Sequence, residues 1–146
     1  FGVASVGVML SGLLVARLRR RFGFAVCFIG GFIIEGIALL LLGVSISTKI
    51  IAMIWAVASF GNSTRGIVTM TLRQELTPDH LLGRVTAAFW TVFSVPGPLG
   101  ALALTAFGER VGAGRALSVV GIFILGVAVV AFFTPVRAFA PTLGDG

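Results

Sequence analysis

Long apolar runs separated by short polar loops constrain this chain more than any other feature. A helix of about 20 residues crosses a hydrocarbon core of about 30 Å, whereas transmembrane β-strands would alternate apolar and polar residues over about ten positions. The pattern therefore predicts an all-α membrane protein with about five transmembrane helices in residues 1–134 and a cytoplasmic tail at 135–146. The predicted spans are about 1–16, 24–44, 49–72, 85–107 and 115–134.

The composition agrees with lipid as the solvent. Apolar residues make up 58% of the chain and charged residues only 11%, with a mean hydropathy of +1.11, whereas soluble domains carry about 25% charged residues. A chain of this size cannot hide so much apolar surface in one aqueous core. The net charge of +6 could suggest nucleic acid, but the basic residues cluster in short loops, which is typical of membrane topology. We therefore expect no nucleic-acid binding.

The distribution of positive charge predicts the orientation. Seven of the eleven Lys and Arg residues fall on the side of the 17–23 loop and three on the other side, with Arg65 inside a span. Cytoplasmic loops carry the excess of Lys and Arg, so we expect a multi-pass protein of the inner or plasma membrane with a cytoplasmic C-terminus. The chain begins at Phe1 with a run shorter than a full span, so we expect a piece of a longer protein.

Two charged residues lie inside apolar spans, where each costs about 2.5–3.5 kcal/mol on translocon scales. Glu35 is predicted at a depth of roughly 16 Å and Arg65 at roughly 12 Å, so contact is possible if their faces match. Glu35 is a candidate proton carrier, Arg65 a counter-charge or substrate anchor, and Asn62 lies in the polar patch around Arg65. The alternatives are a structural ion pair, or a snorkelling Arg65 beside a protonated, packed Glu35.

Glycines and prolines punctuate the spans. Small residues let helices approach closely, which predicts tight packing at Gly30, Gly31, Gly36, Gly121 and Gly126. Proline removes a backbone hydrogen bond and bends a helix. A bend, serving either a gate or a fixed shape, is therefore expected at Pro96, Pro98 and Gly100.

No residue set of the sequence points to enzyme chemistry. The single cysteine, Cys27, lies in an apolar run and is expected to be a packing residue. His80 lies in a loop without a second histidine at metal-ligand spacing. We find no nucleophile motif and no phosphate-binding glycine loop, so we expect no enzyme, no metal and no cofactor.

The stretch from Gly12 to Arg21 resembles the cytoplasmic loop motif of the major facilitator superfamily, which is roughly G-x-L-a-D-R-x-G-R-R. The matching positions are Gly12, Leu14, Arg17, Arg20 and Arg21. Ala16 replaces the acidic residue and Arg19 the second glycine, so the acidic group of the charge lock that the family builds there is missing.

A second stretch is similar to the loop before span eleven in the enterobactin-exporter and macrolide-efflux branch of that superfamily. The matching residues are Pro78, Asp79, Gly83, Arg84, Val85 and Ala87, followed by the Pro98-Leu-Gly100 triplet. We expect Gly83 at a close helix approach and Arg84 at the lipid headgroups.

The resemblance implies spans eight to twelve of a twelve-helix transporter, within its C-terminal six-helix bundle. It also implies proton-coupled export of small drug-like or siderophore-like molecules by alternating access. The partners would be the lipid bilayer, a small-molecule substrate, protons and the N-terminal half of the same transporter. An importer, a uniporter, a sensor that lost transport and a structural membrane subunit remain alternatives.

Overall fold

The computed structural model describes residues 2–45 and 47–134, with side chains from residue 5 onward except at residue 93. This part of the chain is almost entirely helical and contains no strand. The predicted tail at 135–146 lies outside the described residues. The helices are α1 (Gly2–Val44), α2 (Thr48–Leu76), α3 (Asp79–Ser94), α4 (Pro96–Val111) and α5 (Ala113–Phe133).

Helix α1 is a hairpin and not a single rod. Its 43 residues would span about 65 Å if straight, roughly twice a hydrocarbon core. Gly23 leaves the helical region, with φ 79° and ψ 174°, and its backbone conformation is one that glycine adopts without a Cβ penalty. We call residues 2–22 the first arm and residues 24–44 the second arm.

Contacts with α2 show that the chain reverses at Gly23. Along the first arm, Ser11 meets Thr64 and Arg19 meets Glu75, so residue numbers rise together on the two helices. Along the second arm the order is opposite, because Glu35 meets Arg65 while Cys27 shares a buried cluster with Val68 further along α2. Helix α2 therefore runs parallel to the first arm and antiparallel to the second.

The same cluster forms the clearest apolar core at the Gly23 end of the bundle. Its buried members are Val15, Phe24, Cys27 and Val68. Cys27 is only 5% exposed, so it packs in this core.

Helix α5 packs on another side of the second arm. The added Cβ of an alanine at Gly36 would meet the peptide oxygen of Gly121, and one at Gly114 would meet the peptide oxygen of Gly43. Residue numbers run in opposite directions along this contact, so α5 is antiparallel to the second arm. The second arm is therefore enclosed between α2 and α5.

Helices α3 and α4 lie at the periphery. None of their described side chains is buried. Arg73 of α2 lies over the Phe89 ring at 3.5 Å from the ring centroid, and Gly108 of α4 approaches Ala116 of α5. These helices thus expose apolar residues over their whole length.

Three described stretches are long and apolar enough to cross a membrane, as judged by length and composition. They are Ser5–Val44, which contains the hairpin, Asp79–Val111 and Ala113–Phe133. Helix α2, predicted as the third span, is not among them. The polar residues between Asn62 and Arg65 lower its hydropathy at the place where the other spans stay apolar. Several long apolar helices are nevertheless what a membrane protein requires.

The loops are much shorter than the sequence predicted. Residues 17–22, expected to be a loop, continue the helix of the first arm. The loop expected at 73–84 shrinks to Thr77 and Pro78, and the one at 108–114 shrinks to Gly112, whose φ is 93°. Hydropathy reports where an apolar run ends, whereas backbone hydrogen bonding continues until a residue such as glycine or proline interrupts it.

Candidate functional site

The candidate site lies where the second arm of α1 crosses α2. A Cβ on Gly31 would lie 2.9 Å from the peptide oxygen of Gly61, and a Cβ on Gly61 would lie 2.8 Å from the peptide oxygen of Gly31. Two glycines facing each other let the helix backbones approach more closely than any other residue pair allows. Because the two helices are antiparallel, Glu35 lies level with Gly61 and Arg65 lies level with Gly31, on either side of the contact. The close approach lets these two long side chains reach each other.

Glu35 and Arg65 meet across this crossing. Nη2 of Arg65 lies 3.0 Å from Oε2 of Glu35, and Glu35 is only 9% exposed. Oε2 is a buried atom and accepts no hydrogen bond from the described residues. The N–H groups of the guanidinium are close to this oxygen but do not point at it. The contact is electrostatic, and one carboxylate oxygen keeps its hydrogen-bonding capacity.

Two further neighbours hold the Arg65 guanidinium. Its Cζ lies 4.2 Å from the centroid of the Phe32 ring, a cation–π distance, and Nη2 donates to Oδ1 of Asn62 at 3.4 Å. Phe32 is in turn packed edge-on against Phe28 at 5.1 Å between ring centroids. Asn62, a predicted site residue, thus contacts Arg65 from the same helix face, while Phe32 was not predicted from the sequence.

A buried hydroxyl pair lies beside the ion pair. Ser11 Oγ and Thr64 Oγ1 are 3.1 Å apart and both residues are buried, so this hydrogen bond joins the first arm to α2 next to Arg65. The polar patch around Arg65 signalled Thr64 in the sequence. Ser11 carried no such signal, because an isolated serine in an apolar helix is common at close packing sites.

An apolar groove opens between the second arm and α2, and its lining begins at Ile34, the residue before Glu35. Its volume is about 450 Å³. All of its lining residues are apolar: Ile34, Ile37, Ala38, Leu41, Ile50, Met53, Ile54 and Val57. The groove and the ion pair therefore present an apolar surface and a charged group side by side.

An exposed ion pair closes the Gly23 end of the bundle. Arg19 of the first arm donates a hydrogen bond from Nη2 to Oε2 of Glu75 at the end of α2. This hydrogen bond lowers the pKa of the Glu75 carboxyl below its usual range. The contact joins the end of the first arm to the end of α2.

The remaining motif residues do not join this cluster. Arg17, Arg20, Arg21 and Arg84 are exposed. A Cβ on Gly12 or on Gly83 would meet no atom within 4 Å. The close helix approach expected at Gly83 is therefore not formed by the described residues.

The outcome for the other glycines and the prolines is mixed. Gly31, Gly36 and Gly121 lie at close helix contacts, whereas Gly30 and Gly126 face open space. Helix α3 ends at Ser94 and α4 begins at Pro96, while Val95 between them keeps helical dihedral angles of φ −65° and ψ −45°. The helical hydrogen bonding therefore breaks at the first of the predicted bend residues, Pro96, Pro98 and Gly100, but the helical path of the backbone continues through Val95. Among the described residues, no group of three or more His, Cys, Asp or Glu residues could hold a metal ion.

Comparison with models of known families, with curated proteins and with solved structures found no match for this chain.

Proposed function

We propose that this chain is part of a secondary active transporter of the major facilitator type, which exports small amphiphilic molecules in exchange for protons. Glu35 carries the proton, and Arg65 supplies the positive charge that stabilises the carboxylate when the proton leaves. A charged side chain inside a bilayer costs free energy, so an ionisable residue in a membrane span is by default a candidate for a functional role.

The Glu35–Arg65 contact is the observation that carries this proposal. Two opposite charges from different helices meet at 3.0 Å. One carboxylate oxygen is buried without a hydrogen-bond donor. A buried acceptor without a donor is unfavourable, and a proton or a substrate donor would satisfy it.

The apolar groove supports the substrate class. Its volume of about 450 Å³ falls within the range of about 300–1,000 Å³ that is typical of small-molecule sites. Its wall contains no charged residue, while Glu35 and Arg65 lie beyond one end. A molecule with an apolar body and one polar group fits this combination, as drug-like and siderophore-like compounds do.

Transport requires a second half, because facilitator-type substrates bind between two bundles. The proposed partners are the bilayer, protons, a small-molecule substrate and the N-terminal bundle that the motif resemblance implies. The experiment therefore uses this chain together with that bundle, in inside-out vesicles. An imposed pH gradient should drive transport of a fluorescent amphiphilic dye.

Glu35→Gln is the decisive variant. We expect it to abolish pH-driven transport of the dye while dye binding persists, because the amide cannot release a proton. Glu109→Gln, at an exposed carboxylate of α4, is the matched control and should transport normally. Undiminished pH-driven transport by Glu35→Gln would reject the proton role.

A structural membrane subunit is the second candidate. The observation in its favour is that Arg65 is held from three sides, by Glu35, Phe32 and Asn62, as a purely stabilising pair would be. In that case Glu35→Gln would lower stability, and neither the unmodified protein nor the variant would move the dye. Dye movement down its own gradient, unaffected by pH, would instead identify a uniporter.

A further inference from the structure

Three arginines share one face at the end of the first arm of α1. Arg17, Arg20 and Arg21 are separated by three and four positions, so they are neighbours on the helix surface. All three are exposed, and within the described part of the chain none of them pairs with a carboxylate. Arg19 points to the opposite side of the helix, where it pairs with Glu75.

The same face continues along the arm as an apolar stripe. Val6, Leu10 and Leu13 precede Arg17 at alternating spacings of four and three residues, which keeps them in line with it. Their exposed fractions are 53%, 46% and 63%, because the face of the arm that packs on α2 is the other one, with Ser11 and Val15. Val6 and Leu10 also border an apolar groove toward Ile34 of the second arm and Val57 of α2, and the stripe remains at least 46% exposed along its length.

We propose that this face binds an anionic phospholipid, with its phosphate on Arg17, Arg20 and Arg21 and its acyl chains along Val6, Leu10 and Leu13. Guanidinium groups bind phosphate with strong, charge-assisted hydrogen bonds. The stripe from Val6 to Arg17 is roughly 16 Å long, close to the thickness of one hydrocarbon leaflet, about 15 Å. Headgroup and acyl chains of one lipid therefore meet matching chemistry at matching positions.

Charge selects this occupant over a neutral lipid. Basic residues near a membrane surface each attract anionic lipid by about a fivefold factor in affinity. Three of them on one face should give a preference well beyond tenfold. The proposal needs a membrane-embedded chain but no transport activity, so it can fail or succeed independently of the proposed function.

The test is lipid binding by the purified chain in dodecyl maltoside micelles, with bound lipids counted by native mass spectrometry. The probes are phosphatidylglycerol, phosphatidylcholine with the same acyl chains, and soluble glycerol phosphate. We expect at least about tenfold tighter binding of phosphatidylglycerol than of phosphatidylcholine. The triple variant Arg17→Gln, Arg20→Gln, Arg21→Gln should bind both lipids alike.

The matched control removes the same charge elsewhere, through Arg84→Gln, Arg110→Gln and Arg115→Gln, and should keep the preference. Replacement of the first three arginines by lysine should keep most of it. Equal binding of the two lipids by the unmodified chain, or equal loss in the control variant, would overturn the proposal. Competition by glycerol phosphate as effective as that by phosphatidylglycerol would also overturn it, by revealing a site for a soluble anion.

One measurement needs no variant and guards against a triple variant that fails to fold. The preference of the unmodified chain for phosphatidylglycerol should weaken strongly as salt rises from about 0.05 M to about 0.5 M, since salt screens exposed charges. A preference that does not change with salt would mean that the arginines do not select the headgroup, and would overturn the proposal.

Discussion

Glu35 follows Gly31 by one helical turn, so its ion pair with Arg65 lies directly beside the closest backbone contact between α1 and α2. The glycine contact sets the distance between the helices, and that distance allows Nη2 of Arg65 to reach Oε2 of Glu35 at 3.0 Å. Packing and charge at this crossing are therefore coupled, and each can be tested through the other.

The first prediction concerns the ion pair itself. Glu35→Gln and Arg65→Gln should each destabilise the chain in detergent, because each leaves a buried charge without its partner. Such losses are about 3–5 kcal/mol in soluble interiors, and water defects and snorkelling reduce them in membranes. The double variant should be more stable than the sum of the single losses implies, as measured by a double-mutant cycle on thermal unfolding.

The control cycle uses Glu109→Gln and Arg110→Gln, two exposed neighbours on α4. Their effects should be small and should add. Additive losses for Glu35 and Arg65 would show that the contact contributes no coupling energy.

The second prediction concerns the glycine contact. Gly31→Ala places a Cβ 2.9 Å from the peptide oxygen of Gly61, a backbone atom that cannot rotate away. We expect a loss of about 1–3 kcal/mol, typical of overpacking. Gly30→Ala is the matched control, because its Cβ meets no atom within 4 Å. It should be neutral or stabilise by up to about 1 kcal/mol through helix propensity.

Both alanine variants are compared by thermal unfolding of the purified chain. If Gly31→Ala were as stable as Gly30→Ala, the helices would not cross at Gly31 and Gly61. A loss of dye transport in Gly31→Ala at full stability would instead assign the contact to movement.

The third prediction is a pH dependence at the Gly23 end. The pKa of Glu75 is lowered by the hydrogen bond from Arg19, so its contribution to stability is complete above the unfolded-state value of about 4.3. The contribution is lost as pH falls from there through the lowered folded-state pKa. The Glu75 side chain is 38% exposed to solvent, so the amount is at most about 1 kcal/mol.

The measurement compares the pH dependence of the unfolding midpoint between the unmodified chain and Glu75→Gln. The variant should lack the part of the acid-induced decrease that falls below about pH 4.3. The same slope in both proteins would remove the basis for assigning a stabilising role to this pair.

The fourth prediction is the orientation in the membrane. In a Cys27→Ala background, single cysteines at positions 20 and 80 should react with an impermeant maleimide only from the cytoplasmic side. Cysteines at positions 47 and 109 should react only from the outside. The charge asymmetry of the loops motivates this, and the Arg19–Glu75 contact places the first two positions at one end of the bundle. Labelling of position 20 from outside would contradict it.

The helical class could be predicted from the apolar runs, because their length and lack of alternation leave few other folds. The proximity of Glu35 and Arg65 followed from their similar predicted depths in antiparallel helices. The sequence did not predict that the two side chains face each other. Gly31 and Gly61 determine which faces of the helices meet, and a neighbouring glycine such as Gly30, which the sequence does not distinguish from Gly31, faces open space.

Other parts of the site needed three-dimensional information. Ser11 and Thr64 are separated by 53 positions, and no local pattern joins them. Phe32 is one of thirteen phenylalanines, so its contact with Arg65 could not be selected by residue type. The sequence analysis predicted a loop at residues 17–22 because they are charged. Charge indicates that residues lie near water, but it does not prevent them from forming a helix.

The second arm of α1 approaches α2 at Gly31 and α5 at Gly43, and at both places an added Cβ would meet a peptide oxygen of the other helix. Side chains can absorb sliding between helices by changing rotamer, but a backbone has no such freedom. We therefore expect the hairpin, α2 and α5 to move as one rigid body, so that any internal displacement falls on α3 and α4. Distances between spin labels on α2 and α5 should stay constant under every condition that shifts labels on α3.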